Sequence, residues 1–278
     1  MHEHQAHPPS PQAAEALPTA GQKLRLLTYN MQVGIATHRY RHYITRGWQH
    51  LLPHGLRERN LERIAELIQT FDIVALQEAD GGSLRSGFVN QVEYLAHRAR
   101  FPYWYQQRNR NLGRLGQHGN GLLTRFPPEI LEDHKLPGAL PGRGAIVARF
   151  AGPVEPLLVV GVHLSLGARS QQLQLSYLLE LMSNYRHVIV MGDMNSETER
   201  LLLESPLQHG NFHRPAAELA TYPSWRPERA IDHILISRSI TIDRTEVLDF
   251  PFSDHLPVAV ELTLPSAVRL PVTATGLH

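Results

Sequence analysis

"HVIVMGDMNS", residues 187–196, decides how this chain is read. Val188 to Met191 form an unbroken apolar run, the pattern of a strand buried on both faces. Gly192 follows, then Asp193, one residue, and Asn195. In extended chain, residues i and i+2 point to the same side. The two polar groups are therefore expected to be aimed at one spot. Met194 turns away into packing, and Gly192 lets the backbone pass close to that spot. A strand that avoids water needs a target for an acid and an amide at its end.

Other strands in the chain end the same way. Asn30 follows "LLTY", Glu78 follows "IVALQ", Asn120 opens onto "GLLT" and His163 follows "VVGV". Asp232 precedes "HILI", and Asp254 with His255 precedes "LPVAV". A single Asp or Asn after a strand is commonly a cap or turn residue. Seven such places on buried-looking segments point to one sheet edge where strand ends gather a site.

The periodicities predict strands over 23–33, 72–78, 119–126, 144–150, 157–165, 230–237, 240–249 and 255–264. They predict helices over 57–71, 90–99 and 170–184, the last with Leu173, Tyr177, Leu178 and Leu181 inward. Adjacent runs of strands with occasional helices suggest an α/β protein whose sheets pack face to face with helices outside. Residues 1–21, rich in Pro, Ala, His and Gln, read as a disordered tail that includes His2, His4 and His7. One domain spans 22–266, and 267–278 is a C-terminal tail.

The chain has 278 residues, 42% of them hydrophobic, and a formal charge of +1. That balance is unlike a polycation that coats nucleic acid. No apolar run is long enough to span a membrane, and the N-terminus lacks the basic start and apolar stretch of a signal peptide. Cytoplasm is the default location and monomer the default state. Cysteine is absent, which removes disulfides and thiol chemistry. The charges cluster: residues 16–57 and 94–128 contain arginines and aromatics but no acid. Solvated loops and a rim that attracts an anionic substrate both fit, and the charge pattern alone does not choose.

Glu78, Asp193, Asp232 and Asp254 brought together without a counter-charge would repel and be poorly solvated. A hard divalent cation with oxygen ligands relieves this, and nothing resembles a zinc set. Magnesium, bound by one or two carboxylates and by substrate phosphate oxygens, suits the site, with manganese as its substitute.

At this point "LTYNMQ", "IVALQE", "GNGLLTRF", "VHLSLGARSQQLQ", "VMGDMNS", "IDHILIS" and "SDHLPV" resemble, in order, the motifs of the endonuclease/exonuclease/phosphatase superfamily, the deoxyribonuclease-I-like fold. The resemblance runs from about residue 23 to 264 and suits a bacterial subgroup of the family. It implies a four-layer sandwich of two mixed β-sheets with helices outside, and metal-dependent hydrolysis of phosphoester bonds. By the same resemblance, Glu78 is the principal metal ligand, with Asn30 and Asp254. His163 hydrogen-bonds the scissile phosphate or protonates the leaving oxygen. Asp193 orients or deprotonates the attacking water, and Asn195 binds a phosphate oxygen or fixes that water. His255 is the second histidine, with Asp232 on its other ring nitrogen. Asn120 shapes the floor, and Arg143 and Arg169 are candidate substrate contacts. Asp193 and His255 both stand as candidate general bases.

Three functions are in view. The first is a metal-dependent phosphodiesterase, a nuclease or an enzyme acting on a phospholipid head group. The second is a phosphomonoesterase on inositol phosphates or a similar small molecule. The third, a non-catalytic binding module, fits less well because every catalytic position is filled. The segment 37–55 is expected to form a loop over the site, with 98–118 opposite it, and Arg85 is a further candidate phosphate contact.

Overall fold

A computed structural model describes residues 21–32, 54–82, 89–111, 117–138, 142–213 and 219–271. The expected tail over 1–20, most of the 37–55 loop, and Arg85 lie outside these residues.

The elements run β1 (Gln22–Asn30), α1 (His54–Ile68), β2 (Ile73–Asp80), α2 (Gln91–Arg98), β3 (Tyr103–Asn111), β4 (Gln117–Thr124) and β5 (Ile130–Lys135). Then come β6 (Gly144–Phe150), β7 (Leu157–His163), α3 (Ala168–Met182), β8 (His187–Asp193), α4 (Thr198–Leu203), β9 (Asp232–Ile236), β10 (Thr241–Val247) and β11 (Val258–Leu264). Two sheets form. One has the order β10-β11-β1-β2-β4-β3 and the other β5-β6-β7-β8-β9. Only β1–β2 and β7–β8 are parallel pairs, so both sheets are mixed.

The alternation of side chains produces three packed layers. Leu24, Leu26, Ile73, Ala75 and Leu122 face Ile146, Val159, Ile189 and Met191 between the sheets. Leu27, Val74 and Leu76, on the opposite face, pack under Leu61, Ile64 and Ile68 of α1 and Val92 and Leu95 of α2. Val160, Val162, Val188 and Val190 pack under Leu175, Leu178 and Leu201 from α3 and α4. Each such side chain contributes roughly 1.5–3 kcal/mol when fully buried, so the inward stripes hold the helices. The expected four-layer α/β sandwich is the observed one.

Several boundaries and elements differ from expectation. β3 and β5 went unread because both are edge strands. β3 changes from aromatic to polar along its length, and β5 is exposed at nearly every position. α1 begins at residue 54, inside the expected loop. Leu173 points outward, 52% exposed, while Gln171 and Gln174 are buried. The inward stripe of α3 thus runs through 171, 174, 175, 178 and 182. The packed chain also continues past residue 266: Val268 and Leu270 lie in the core between the sheets, so the expected C-terminal tail is shorter.

Three arginines of the basic windows serve the fold. Arg25 donates to the Thr70 carbonyl and lies over the Phe71 ring. Arg125 donates to the carbonyls of Phe71 and Arg100 and covers Phe101. Arg98 pairs with Glu62. Arg25 and Arg125 hold the start of β2, the end opposite Glu78.

Gly192 has φ +152, and a Cβ there would lie 1.9 Å from the Val162 carbonyl oxygen on the neighbouring strand. The close approach expected of this glycine is therefore to β7 itself. Gly192→Ala is expected to lower unfolding free energy by roughly 2–4 kcal/mol, read by chemical denaturation; a change under about 0.5 kcal/mol would contradict the close packing.

Candidate active site

Register gathers the site. His163 on β7 is the Cα partner of Asp193 on β8, and Asp193 is the partner of Asp232 on β9. Gly144, next to Arg143, pairs with His163. Four neighbouring strands of the smaller sheet therefore present their residues at one end. In the larger sheet Asn30 pairs with Gln77, the residue before Glu78. Asn120 pairs with Gln107, and Asp254 and His255 lie just before β11.

Between the sheets the filling changes from apolar to polar towards this end. On β1 the inward succession Leu24, Leu26 gives way to Thr28 and Asn30, all buried. Hydrogen bonds then replace apolar contact across the gap. Asn30 Nδ2 donates to Asp193 Oδ2 at 3.0 Å. Asn120 Nδ2 donates to the Gly144 carbonyl at 3.0 Å and to Gln107 Oε1. Gln107 Nε2 donates to the Ala145 carbonyl at 3.1 Å.

Asp193 is 2% exposed. Its Oδ1 accepts the Asn195 backbone N–H at 2.9 Å, and its Oδ2 lies 3.3 Å from His163 Nε2. Burial works against the charge, but His163, the His255 charge and the Asn195 N–H outweigh it and hold the carboxyl well below the usual range. Arg143 Nη1 also meets His163 Nε2. His163 Nε2 thus lies between the Arg143 guanidinium and the Asp193 carboxylate.

The expected i, i+2 alternation stops at Asp193. Asn195 has φ +49, so a turn closed on the Asp193 carboxylate, rather than extended chain, carries it to the site. Asn195 Nδ2 donates to the Leu164 carbonyl at 3.0 Å. Met194 is fully buried under the helices, as expected. Glu78 has φ +56 where β2 slips register against β4, a bulge that re-aims one side chain out of the ladder. With Gln32, φ +40 just past Asn30, three non-glycine residues take left-handed backbone at one sheet edge, a pattern associated with functional sites.

His255 Nδ1 donates to Asp232 Oδ2 at 2.8 Å. Thr221 Oγ1 donates to the same oxygen at 2.6 Å. Burial opposes the imidazolium, yet Asp232, with Asp193 and Asp254 behind it, lifts its pKa to about 10. Ser224 N donates to the Asp254 carbonyl and Leu256 N to the Thr221 carbonyl, so the 221–224 segment cradles the Asp254-His255 pair.

Asp193, Asp232 and His255 bring their polar atoms within 4.8 Å of one another. The charged histidine offsets one of that group's two carboxylate charges. The second pair of carboxylates is Asp254 and Glu78. Burial and the Glu78 charge raise Asp254 to about 6, against the pull of His255 and Ser253. A buried carboxylate raised by a half-buried neighbour, with the Asn30 amide oxygen on the neighbouring strand end, fits a hard divalent cation.

The structure thus brings Asn30, Glu78, Asn120, Arg143, His163, Asp193, Asn195, Asp232, Asp254 and His255 to one end of the sandwich. Arg169 stands apart, exposed in the first turn of α3. Gln107, Gln171, Gln174 and Thr221 were missed. The two α3 glutamines were hidden because the leucines beside them were read as the inward stripe.

The fold and this set of acids, amides and histidines define an α/β sandwich suited to phosphoester chemistry. Residues 27–255 match the Endonuclease/Exonuclease/phosphatase family, and the chain belongs to that family of phosphoester hydrolases. It is 30% identical over 166 residues to an uncharacterized protein of Escherichia coli strain K12, YbhP, a match covering 54% of this chain and 64% of that protein. Mannosyl-6-phosphatase Bt3783 of Bacteroides thetaiotaomicron shares the fold at TM-score 0.61 and 19% identity, over 86% of this chain and 99% of that one. Danio rerio TDP2 complexed with single strand DNA product shares it at TM-score 0.63 and 17% identity, over 86% and 98%. No helix among the described residues is long and apolar enough to cross a membrane.

Two outcomes follow from the charges. A cation on Asp254 would need the ionised carboxylate, so magnesium affinity measured by calorimetry is expected to fall about tenfold per pH unit below about pH 6; an affinity constant from pH 5 to 7 would contradict this ligand. The His255 pKa is raised on folding, so its pairing stabilises fully below the ordinary 6.5 and is lost as pH rises through about 10. Asp232→Asn is expected to cost about 3 kcal/mol at pH 7, with the gap from wild type closing above pH 10.

Proposed function

We propose that this protein is a divalent-metal-dependent phosphodiester hydrolase, with magnesium as the cation and manganese as its substitute. The observation that carries this reading is Asp193. It is ionised and buried, and it is held by Asn30, His163 and the Asn195 backbone beside a charged His255.

Glu78, Asp254 and Asn30 would hold the metal, which neutralises developing charge on the phosphoryl oxygens. Asp193 accepts a hydrogen bond from the attacking water and orients it; the donors that hold its carboxyl well below the usual range make it a weak acceptor for the proton itself. His255 faces the phosphate as a fixed cation, kept in orientation by Asp232 and Thr221. His163 and Arg143 lie where a phosphate oxygen or the leaving oxygen takes a hydrogen bond, and Asn195 and Asn120 complete the walls. Preorganised donors of this kind act without reorganisation cost as charge develops. Arg169 remains a candidate contact for a substrate longer than one phosphate.

The charge balance favours a diester. Four acids at this end of the sandwich repel each further negative charge on the substrate, which disfavours the doubly charged monoester relative to the singly charged diester. A strand of nucleic acid and a phospholipid head group both supply a singly charged phosphate. A cytoplasmic monomer is the simplest setting for either.

In magnesium, kcat/KM for bis-p-nitrophenyl phosphate is expected to exceed that for p-nitrophenyl phosphate by at least about tenfold, or 1.4 kcal/mol, with loss of turnover in EDTA. The reverse preference would replace the diester reading with the monoester one. No turnover of these compounds, plasmid DNA, RNA or phospholipid by metal-loaded protein would contradict a hydrolase.

A further inference from the structure

α3 carries two glutamines that its packing role does not explain. Gln171 and Gln174 are 2% and 0% exposed, on the stripe where Leu175 and Leu178 fill the core. Burying an amide costs free energy unless its hydrogen bonds are made, and here they are. Gln174 Oε1 accepts the Ser165 N–H at 2.9 Å, and its Nε2 donates to Ser165 Oγ at 2.9 Å. Gln171 Nε2 donates to the Ser165 carbonyl at 2.7 Å and to the Asn195 carbonyl at 3.0 Å.

These bonds lie where two parallel strands part. β7 and β8 stay in register to the His163–Asp193 pair, and Leu164 N still donates to the Asp193 carbonyl. Beyond that point the chains diverge into separate loops. Asn195 reaches back to Leu164 through its side chain, and Gln171 grips Ser165 and Asn195 from the helix side. The two contacts close a ring around the left-handed Asn195, and Gln174 fixes the Ser165 corner.

We propose that Gln171 is a positioning residue for hydrolysis, acting through Asn195. It locks the loop after β7 to the loop after β8, which sets the Asn195 amide beside Asp193 and His163. This rests on the phosphoester-hydrolase reading for its kinetic consequence, but not for its geometry. Without the Gln171 donor, the half-buried Asn195 loses the bond to its carbonyl, one of the three that tie the left-handed turn in place. A misplacement on the order of 1 Å in such a site costs about a hundredfold in rate.

Gln171→Met keeps the length and removes the amide. It is expected to lower kcat by about ten- to hundredfold with KM little changed, while the neighbouring exposed Gln172→Met leaves turnover unaltered. The double variant with Asn195→Ala separates positioning from general weakening. If Gln171 acts through Asn195, Gln171→Met costs nothing further in that background; losses that multiply would overturn the proposal. Full activity of Gln171→Met would also overturn it. A crystal structure of Gln171→Met tests the geometry without substrate: Asn195 should leave its left-handed conformation, and an unmoved Asn195 would refute the latch. Absence of turnover in the wild-type protein would defeat the hydrolase reading alone, since the crystallographic outcome stands apart from it.

Discussion

The hydrogen bond from Asn30 to Asp193 joins two sheets at the point where apolar packing between them gives out. Everything else at that end follows from the need to bury charge there. Asp193 cannot stay ionised among hydrophobic side chains unless donors reach it, and the donors come from β1, β7 and its own turn. Asp232 has the same problem, which His255 and Thr221 answer. The core between the sheets holds them at a fixed separation, and that separation lets an amide on one sheet meet a carboxylate on the other.

Strain collects at the same edge. Gln32, Glu78 and Asn195 take left-handed backbone, and Gly192 leaves no room for a side chain against the Val162 carbonyl. Such conformations persist where the surroundings over-determine them. A register slip between β2 and β4 accounts for Glu78, and the Asp193 carboxylate with the α3 glutamines accounts for Asn195. The strands beneath pack through apolar side chains, and Arg100, after α2, is the remaining left-handed non-glycine among the described residues.

Much of this was legible from residue order because buried strands announce themselves twice, by their apolar runs and by the polar residue that ends each run. Asp193, His163 and Glu78 were visible in that way. Edge strands carry no such signal: β5 shows solvent almost every residue, so nothing in "ILEDHK" marks it as sheet. The α3 stripe misled for a different reason. Leucine inward is the favoured assignment for a helix, and here hydrogen bonds to Ser165 and Asn195 outbid it, turning Leu173 outward. The alternation argument located Asn195 correctly beside Asp193, although a turn, not a strand, does the placing. The arginine windows resolved in part: at Arg25, Arg98 and Arg125 they brace the end away from the site.

The central claim is that Asp193 is an ionised group dedicated to the reaction while the apolar layers carry the fold. Turnover of bis-p-nitrophenyl phosphate by Asp193→Asn in magnesium tests it most directly, with thermal unfolding recorded on the same sample. The account predicts a loss of at least about a thousandfold in kcat in a protein that still unfolds cooperatively. Activity within about tenfold of wild type, from a folded variant, would contradict it.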